Sequence, residues 1–210
     1  MADSGKQISA WRGEFGDRYV DRNVGDESRL RSLTIAYSMI FDHLRAAPPR
    51  SILEVGANLG NNLKVLDRIC DAELHAVEPN EKARGLLADS GCLDPANIHD
   101  AMSTSLPFED ASVDLVFTSG VLIHVPEEHL EQSYREMHRV SAKYLLSIEY
   151  FSPVPTKIPY RGETDLLFKR DFGGYWLDLF PEMIPVANGF FWKRTTGLDD
   201  LNWWLFRKPD

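Results

Sequence analysis

The chain has 210 residues, 43% hydrophobic and 26% charged, which suits one domain with a sizeable core or a domain with a modest extension. Its formal net charge of −9, with acids spread along the chain, argues against nonspecific nucleic-acid binding, which needs excess Lys and Arg to displace counterions. No run of 18 apolar residues occurs and the start, Met1 to Gln7, has no apolar signal core, so no membrane partner is expected. Cys70 and Cys92 show neither CxxC spacing nor a disulfide framework, which fits a reducing cytoplasm. Separately, a monomer or homodimer is expected.

In chain order, Trp11, Phe15 and Tyr19 recur at a spacing of four, which places three rings along one side of a helix. A second helix is predicted over Glu27–Arg45 and stops before Pro48 and Pro49. Residues 1–46 are thus expected as a helical segment or lid, and 47–210 as the main domain. Ser51–Val55 is a short apolar run that ends at Gly56 and reads as a buried parallel strand. Helices at Asn61–Cys70, Glu81–Asp89 and Glu127–Val140 then alternate with strands at Glu73–Val77, Asn97–His99, Val113–Phe117 and Tyr144–Ile148. Such alternation implies βαβ units and a parallel sheet covered on both faces. Residues 186–193 and 202–207 read as a closing antiparallel hairpin around Gly197–Asp200. The expected fold is a doubly wound, mostly parallel α/β sheet of seven strands, with a helical N-terminal cap and an antiparallel hairpin at the C-terminal end.

Glu54-Val-Gly56-Ala-Asn58-Leu-Gly60 lies between a strand and a helix, at the sheet edge where open α/β folds bind ligands. Glycine at 56 and 60 lets the backbone turn sharply and lie against a ligand. Glu78 ends the next strand, 22 positions beyond Gly56, where a carboxylate can accept hydrogen bonds from both hydroxyls of a ribose. The loop is not GxGxxG, so the pyrophosphate fingerprint is absent. Glu54 can receive the ammonium of an amino-acid moiety and would repel a diphosphate. This contrast favours S-adenosylmethionine over NAD or FAD.

These residues resemble the cofactor loop of class I S-adenosylmethionine-dependent methyltransferases, with Asn58 in place of the usual middle glycine. The resemblance implies a cofactor site of Glu54, Gly56, Asn58, Gly60 and Asn62, with Glu78, Pro79 and Asn80 at the ribose. It further implies Asp100, Ala101 and Met102 near the adenine, and Ser119, Gly120 and Val121 by the methionine end. S-adenosylhomocysteine would be the product. Trp11 through Asn23, Thr118 through Val125, Glu149-Tyr150 through Phe172, and Asn202-Trp203-Trp204 are similar to the pseudaminic acid biosynthesis-associated methylase family. That family name supplies no substrate.

Read for themselves, the same stretches suggest a substrate side. Residues 151–170 carry Pro153, Pro155 and Pro159 and resemble a long loop over a site. Arg161, Lys169 and Arg170 form the densest positive charge, suited to an anionic small-molecule acceptor such as a sugar, a nonulosonate or a nucleotide-linked metabolite. Lys169 and Arg170 can equally pair with Asp165 and Asp171 near a helix start. Trp11, Phe15 and Tyr19 are read either as packing or as a lid over cofactor and substrate, from which Arg22 and Asn23 reach the site. Tyr150 joins the substrate set.

Methyl transfer to an oxygen or nitrogen needs alignment and exclusion of water, with a base only where the acceptor must lose a proton. His124, Glu149 and Tyr150 are the candidates, His124 alternatively being a structural turn histidine. The other histidines lack metal-ligand spacing, so no metal is expected. A nucleotide-binding oxidoreductase would want a pyrophosphate loop, and its short-chain version a Tyr-x-x-x-Lys pair, which is absent. A non-catalytic binding module is the remaining alternative.

Overall fold

The structure is a computed structural model that describes residues 10–23, 25–159 and 167–209. After a first helical turn broken at Gly13 come α1 (Glu14–Arg22) and α2 (Glu27–Phe41), the latter ending in a 3-10 turn, Asp42–Leu44. The alternating part follows as β1 (Ser51–Val55), α3 (Asn61–Ile69), β2 (Glu73–Val77), α4 (Glu81–Asp89), β3 (Ile98–His99), β4 (Val113–Ser119), α5 (Glu127–Val140) and β5 (Ser141–Glu149). Short strands β6 (Thr156–Lys157) and β7 (Phe168–Lys169) precede α6 (Phe172–Leu179). The chain ends with β8 (Ile184–Phe191), the one-turn helix α7 (Lys193–Thr196) and β9 (Leu201–Arg207).

Seven strands form one sheet in the order β3-β2-β1-β4-β5-β9-β8. Strands β1 to β5 pair in parallel, while β9 runs antiparallel to both β5 and β8. The doubly wound sheet with its antiparallel finish is the expected architecture. β1 shows why such strands read as unbroken apolar runs. Ile52 joins Leu63, Leu66 and Leu87 on one face, and Leu53 and Val55 join Leu130, Tyr134 and Trp176 on the other. Leu33, Tyr37, Ile40 and Leu44 pack into the first of these cores, so α2 is a layer of the sandwich. The boundary placed at 46/47 therefore divides the chain rather than the core, and only α1 with the turn before it sits outside as a cap.

Several elements differ from the sequence reading. β5 starts at Ser141, directly after α5, and runs to Glu149. The proline-rich stretch contains the small β6–β7 ladder, with Thr156 opposite Lys169. The expected turn between the last two strands contains α7. Helix α6 was undelimited in the sequence because Gly173 and Gly174 open it. Asp171 caps it by accepting the Gly174 amide at 2.8 Å, and Trp176, fully buried, donates to Ser147 Oγ at 3.0 Å. A Cβ on Gly173 would lie 2.4 Å from the Trp204 ring, so glycine is what lets α6 lie on β9. A Cβ on Gly85, in α4, meets nothing within 4 Å.

Gly173→Ala is therefore expected to destabilise by about 1–3 kcal/mol through overpacking, whereas Gly85→Ala stabilises by about 0.5–1 kcal/mol through helix propensity. Urea denaturation of both variants checks this. Equal effects of the same sign would remove the packing explanation.

Candidate functional site

A cleft runs along the sheet edge formed by the carboxyl ends of the parallel strands. The turn after β1 holds three residues in the left-handed region: Gly56 at φ +80, Asn58 at +49 and Gly60 at +66. A Cβ at 56 would stand 2.6 Å from Val121 Cγ2, and one at 60 only 2.2 Å from Leu87 Cδ1. Gly60 is thus required by contact with α4 and does not line the cleft, which corrects its reading as a ligand-facing glycine. Gly56 and Asn58 do line it.

Three carboxylates end up buried at this edge. Glu78 Oε2 accepts the Asn58 amide and Oε1 the Asn80 amide, both at 2.8 Å. Burial raises its pKa, and the two amides oppose the rise. Each oxygen keeps a lone pair, so two hydroxyls of a ligand can still donate to it. Glu54, 1% exposed, accepts from Asn62 Nδ2 at 2.5 Å, and burial pushes its pKa up to about 8 against that bond. Among the described residues its Oε2 has no partner, and neither has Asn58 Oδ1, both on residues that line the cleft. Unpaired buried acceptors of this kind are costly unless a ligand donor meets them. The set suits an ammonium beside Glu54 and a diol at Glu78, and so fits the amino-acid and ribose parts of S-adenosylmethionine.

Glu149 has a different place. It is fully buried and accepts the amides of Val121 and Leu122, each at 3.1 Å, and of Ile123 at 3.3 Å. Burial lifts its pKa to about 7 while these amides pull it down. It does not line the cleft, so the expected base is a post that holds the loop after β4. Tyr150 also lies off the cleft, with Lys169 Nζ 5.0 Å from its ring centre.

The cap brings in much of the remaining set. Trp11 meets Phe15, Tyr19 and His124 with ring centres 5.2, 5.3 and 4.8 Å apart. Trp11, Tyr19, Asn23 and His124 line the cleft, as do Asn62, Glu78, Pro79, Asn80, Ala101, Met102, Ser119, Gly120 and Val121. Phe15 packs behind Trp11, and Arg22 stands over the outer side of Tyr19, 5.8 Å from its centre. Neither lines the cleft.

Three charged residues depart from their expected use. Asp100 turns away to Arg12 at 2.7 Å and Arg84 at 3.1 Å, and the Arg12 bond, then the Arg84 charge, hold its pKa low. Arg170 is 4% exposed and bound to Glu127 at 2.8 Å and the Val125 carbonyl at 3.3 Å, with Phe168 beneath it. Its described partner is Glu127 rather than Asp171, and Asp165 lies outside the described residues. Lys169 does not reach the cleft, and Arg161 lies outside the described residues.

The structure adds residues that the sequence did not single out. Tyr37, Leu33 and Arg29 come from α2, His129 from α5, and Phe191, Leu198 and Leu201 from the final hairpin. A hydroxyl on the core face of a helix was the one readable signal among them, at Tyr37.

Residues 53–143 match the family model described as "Methyltransferase domain". Over 77 residues the chain is 30% identical to dimethylglycine N-methyltransferase of Parasynechococcus marenigrum (strain WH8102), covering 35% of this chain and 28% of that protein. The chain thus spans less than a third of the curated relative it matches. Among solved structures, 1,6-didemethyltoxoflavin-N1-methyltransferase of Burkholderia thailandensis, with bound 1,6-didemethyltoxoflavin and S-adenosylhomocysteine, superposes with a TM-score of 0.74. The identity is 18%, over 100% of this chain and 92% of that one. Magnesium protoporphyrin IX methyltransferase of Synechocystis PCC 6803, with bound S-adenosylmethionine, gives 0.70 at 13% identity over 100% and 98%. At these identities the structural likenesses establish the fold, a Rossmann-like methyltransferase fold, with the methyltransferase-domain match spanning β1 to the start of β5.

Proposed function

We propose that the protein is an S-adenosylmethionine-dependent methyltransferase that acts on an oxygen or nitrogen of a small molecule. The observation that carries this reading is the pairing of an unpartnered Glu54 Oε2 with the half-used carboxylate of Glu78, on adjacent strand ends of one cleft. The methyltransferase-domain match over the same strands supports it. Bound there, the cofactor supplies a methyl group already activated on a sulfonium, and the product is S-adenosylhomocysteine. Glu54 faces the ammonium and Glu78 the ribose hydroxyls. Ala101 and Met102 wall the adenine end, while Asp100 closes the rim from outside.

The protein's remaining work is alignment and exclusion of water. Glu149 fixes the backbone of Val121–Ile123, and Trp11 and Tyr19 cover His124. Of the three bases named from sequence, His124 alone lines the cleft, and it is the base where an acceptor must lose a proton. A diphosphate cofactor is disfavoured because the turn after β1 lacks the GxGxxG pattern. Arg29 is the one Lys or Arg among the described lining residues. The narrower resemblance to the pseudaminic acid-associated methylases names no acceptor. Its sugar-type expectation also loses the support of Arg170, which is held by Glu127.

Titration calorimetry with S-adenosylmethionine and S-adenosylhomocysteine, and NADH as control, tests the reading. Glu78→Ala should weaken both by tenfold or more, and a preference for NADH would overturn it. Because Glu54 holds its proton to about pH 8 when unliganded, an ammonium binding at pH 6.5 should displace that proton. The binding heat should then vary with the buffer's ionisation enthalpy, and the variation should vanish in Glu54→Gln.

The same group sets a stability trend. With a folded pKa above its unfolded one, Glu54 contributes most below about pH 4.5 and its contribution is lost as pH rises through about 8. Unliganded Glu54→Gln should thus melt above wild type at pH 8.5, by on the order of 3 kcal/mol in stability, with the gap closing toward pH 5. Melting curves with a gap that is flat in pH would contradict this.

A further inference from the structure

The strand order gives the cleft two chemically different ends. Over β1 and β2 its wall carries the polar groups Glu54, Asn58, Glu78 and Asn80, with Ala101 and Met102 beyond β3. Across β4, the end of β5, the start of β9 and the end of β8 meet at the same edge, because β9 and β8 are antiparallel. Glu149 pairs with Asn202 there, and Phe191 with Leu201. The wall at this end is Ile148, Phe191, Leu198 and Leu201, with Leu33 of α2 facing it. Ile148, Phe191, Leu198 and Leu33 are each at most 6% exposed, so this wall is part of the packed core.

The charge at the mouth of this end is also defined. Asp199 is held by Lys193 at 3.0 Å, whereas the Arg29 guanidinium makes no ion pair among the described residues. Asp26, nearby, takes the Arg29 backbone amide at 2.8 Å as the α2 cap.

We propose that this end receives the methyl acceptor, and that the acceptor is an aromatic or aliphatic ring-sized body carrying one acidic group. The ring lies against Leu33, Ile148, Phe191, Leu198 and Leu201, and the acid faces Arg29. The inference rests on the methyltransferase reading and narrows its substrate class. A polyhydroxylated sugar would press hydroxyls against walls that offer them no partners, losing their water without replacement. A ring gains by leaving water. Arg29 matches a carboxylate bidentately at the rim, where it stays hydrated until the acid arrives.

The test is calorimetric titration of the full chain with 2-naphthoate and with D-glucuronate, each with and without saturating S-adenosylhomocysteine. 2-Naphthoate should bind and D-glucuronate should bind at least tenfold more weakly. Arg29→Gln, an exposed change, should weaken 2-naphthoate about tenfold while S-adenosylhomocysteine binding is kept. Leu201→Thr, which keeps a strand-forming residue, should weaken it several-fold. S-adenosylhomocysteine binding without 2-naphthoate binding would overturn this inference alone, as would equal or tighter binding of D-glucuronate or indifference to both substitutions. 2-Naphthoate binding with no S-adenosylhomocysteine binding would support the apolar subsite and overturn the cofactor reading instead.

Discussion

The hydrogen bond from the Asn58 amide to Glu78 Oε2 ties the turn after β1 to the end of β2, and most of the cleft hangs from it. Glu78 Oε1 accepts the Asn80 amide, and Asn80 then works in two directions. Its Oδ1 caps α4 by accepting from Ala83 at 2.9 Å. Its Nδ2 donates to the Trp11 carbonyl at 3.1 Å and to Asp17 at 2.9 Å, which holds the cap. Trp11 in turn lies on His124. One buried carboxylate thereby links the cofactor turn, the start of a helix, the cap and the candidate base. Exposing or neutralising it disturbs all four together.

Glu54, Glu78 and Glu149 stand at one sheet edge at the ends of β1, β2 and β5, and what distinguishes them is how their oxygens are used. Glu149 takes two backbone amides on one oxygen and one on the other, and it stands off the cleft. Glu78 gives one lone pair from each oxygen and keeps the rest. Glu54 gives one oxygen to Asn62 and leaves the other bare. Burial lifts the pKa of each, so each costs stability when ionised without a compensating donor. For Glu149 the compensation is internal. For Glu54 it is incomplete in the unliganded protein, as expected where the missing donor arrives with the ligand.

What the sequence disclosed follows the range of the interactions concerned. β1, β2, α4 and α5 were readable to the residue because their periodicity and caps are local. Glu78 was readable because strand, turn and acid sit within one βαβ unit. Arg170 was not, since its neighbours in sequence suggested Asp165 or Asp171 and its partner Glu127 comes from another element. Glu149 looked like a candidate base from its strand-end position. Only the fold shows that the loop after β4 curls back to consume it. Arg29, Leu198 and Leu201 carried no local signal, because their shared wall exists only once β8 and β9 have closed the sheet.

The cap and the apolar end also answer a problem that the cleft poses. A reaction that needs water excluded must still let a ligand in, and α1 is fastened by one small apolar contact, Val20 with Leu59 and Ala83, and otherwise by polar contacts. Lys82–Asp21 and Arg12–Asp100 are exposed ion pairs, each worth about 0–1 kcal/mol. The Asn80 bonds are firmer but lie at one end of the helix. The wall of Leu33, Ile148 and Phe191, by contrast, belongs to the main core. The rings of Trp11 and Tyr19 therefore bound one side of the cleft, and a wall of the main core bounds the other.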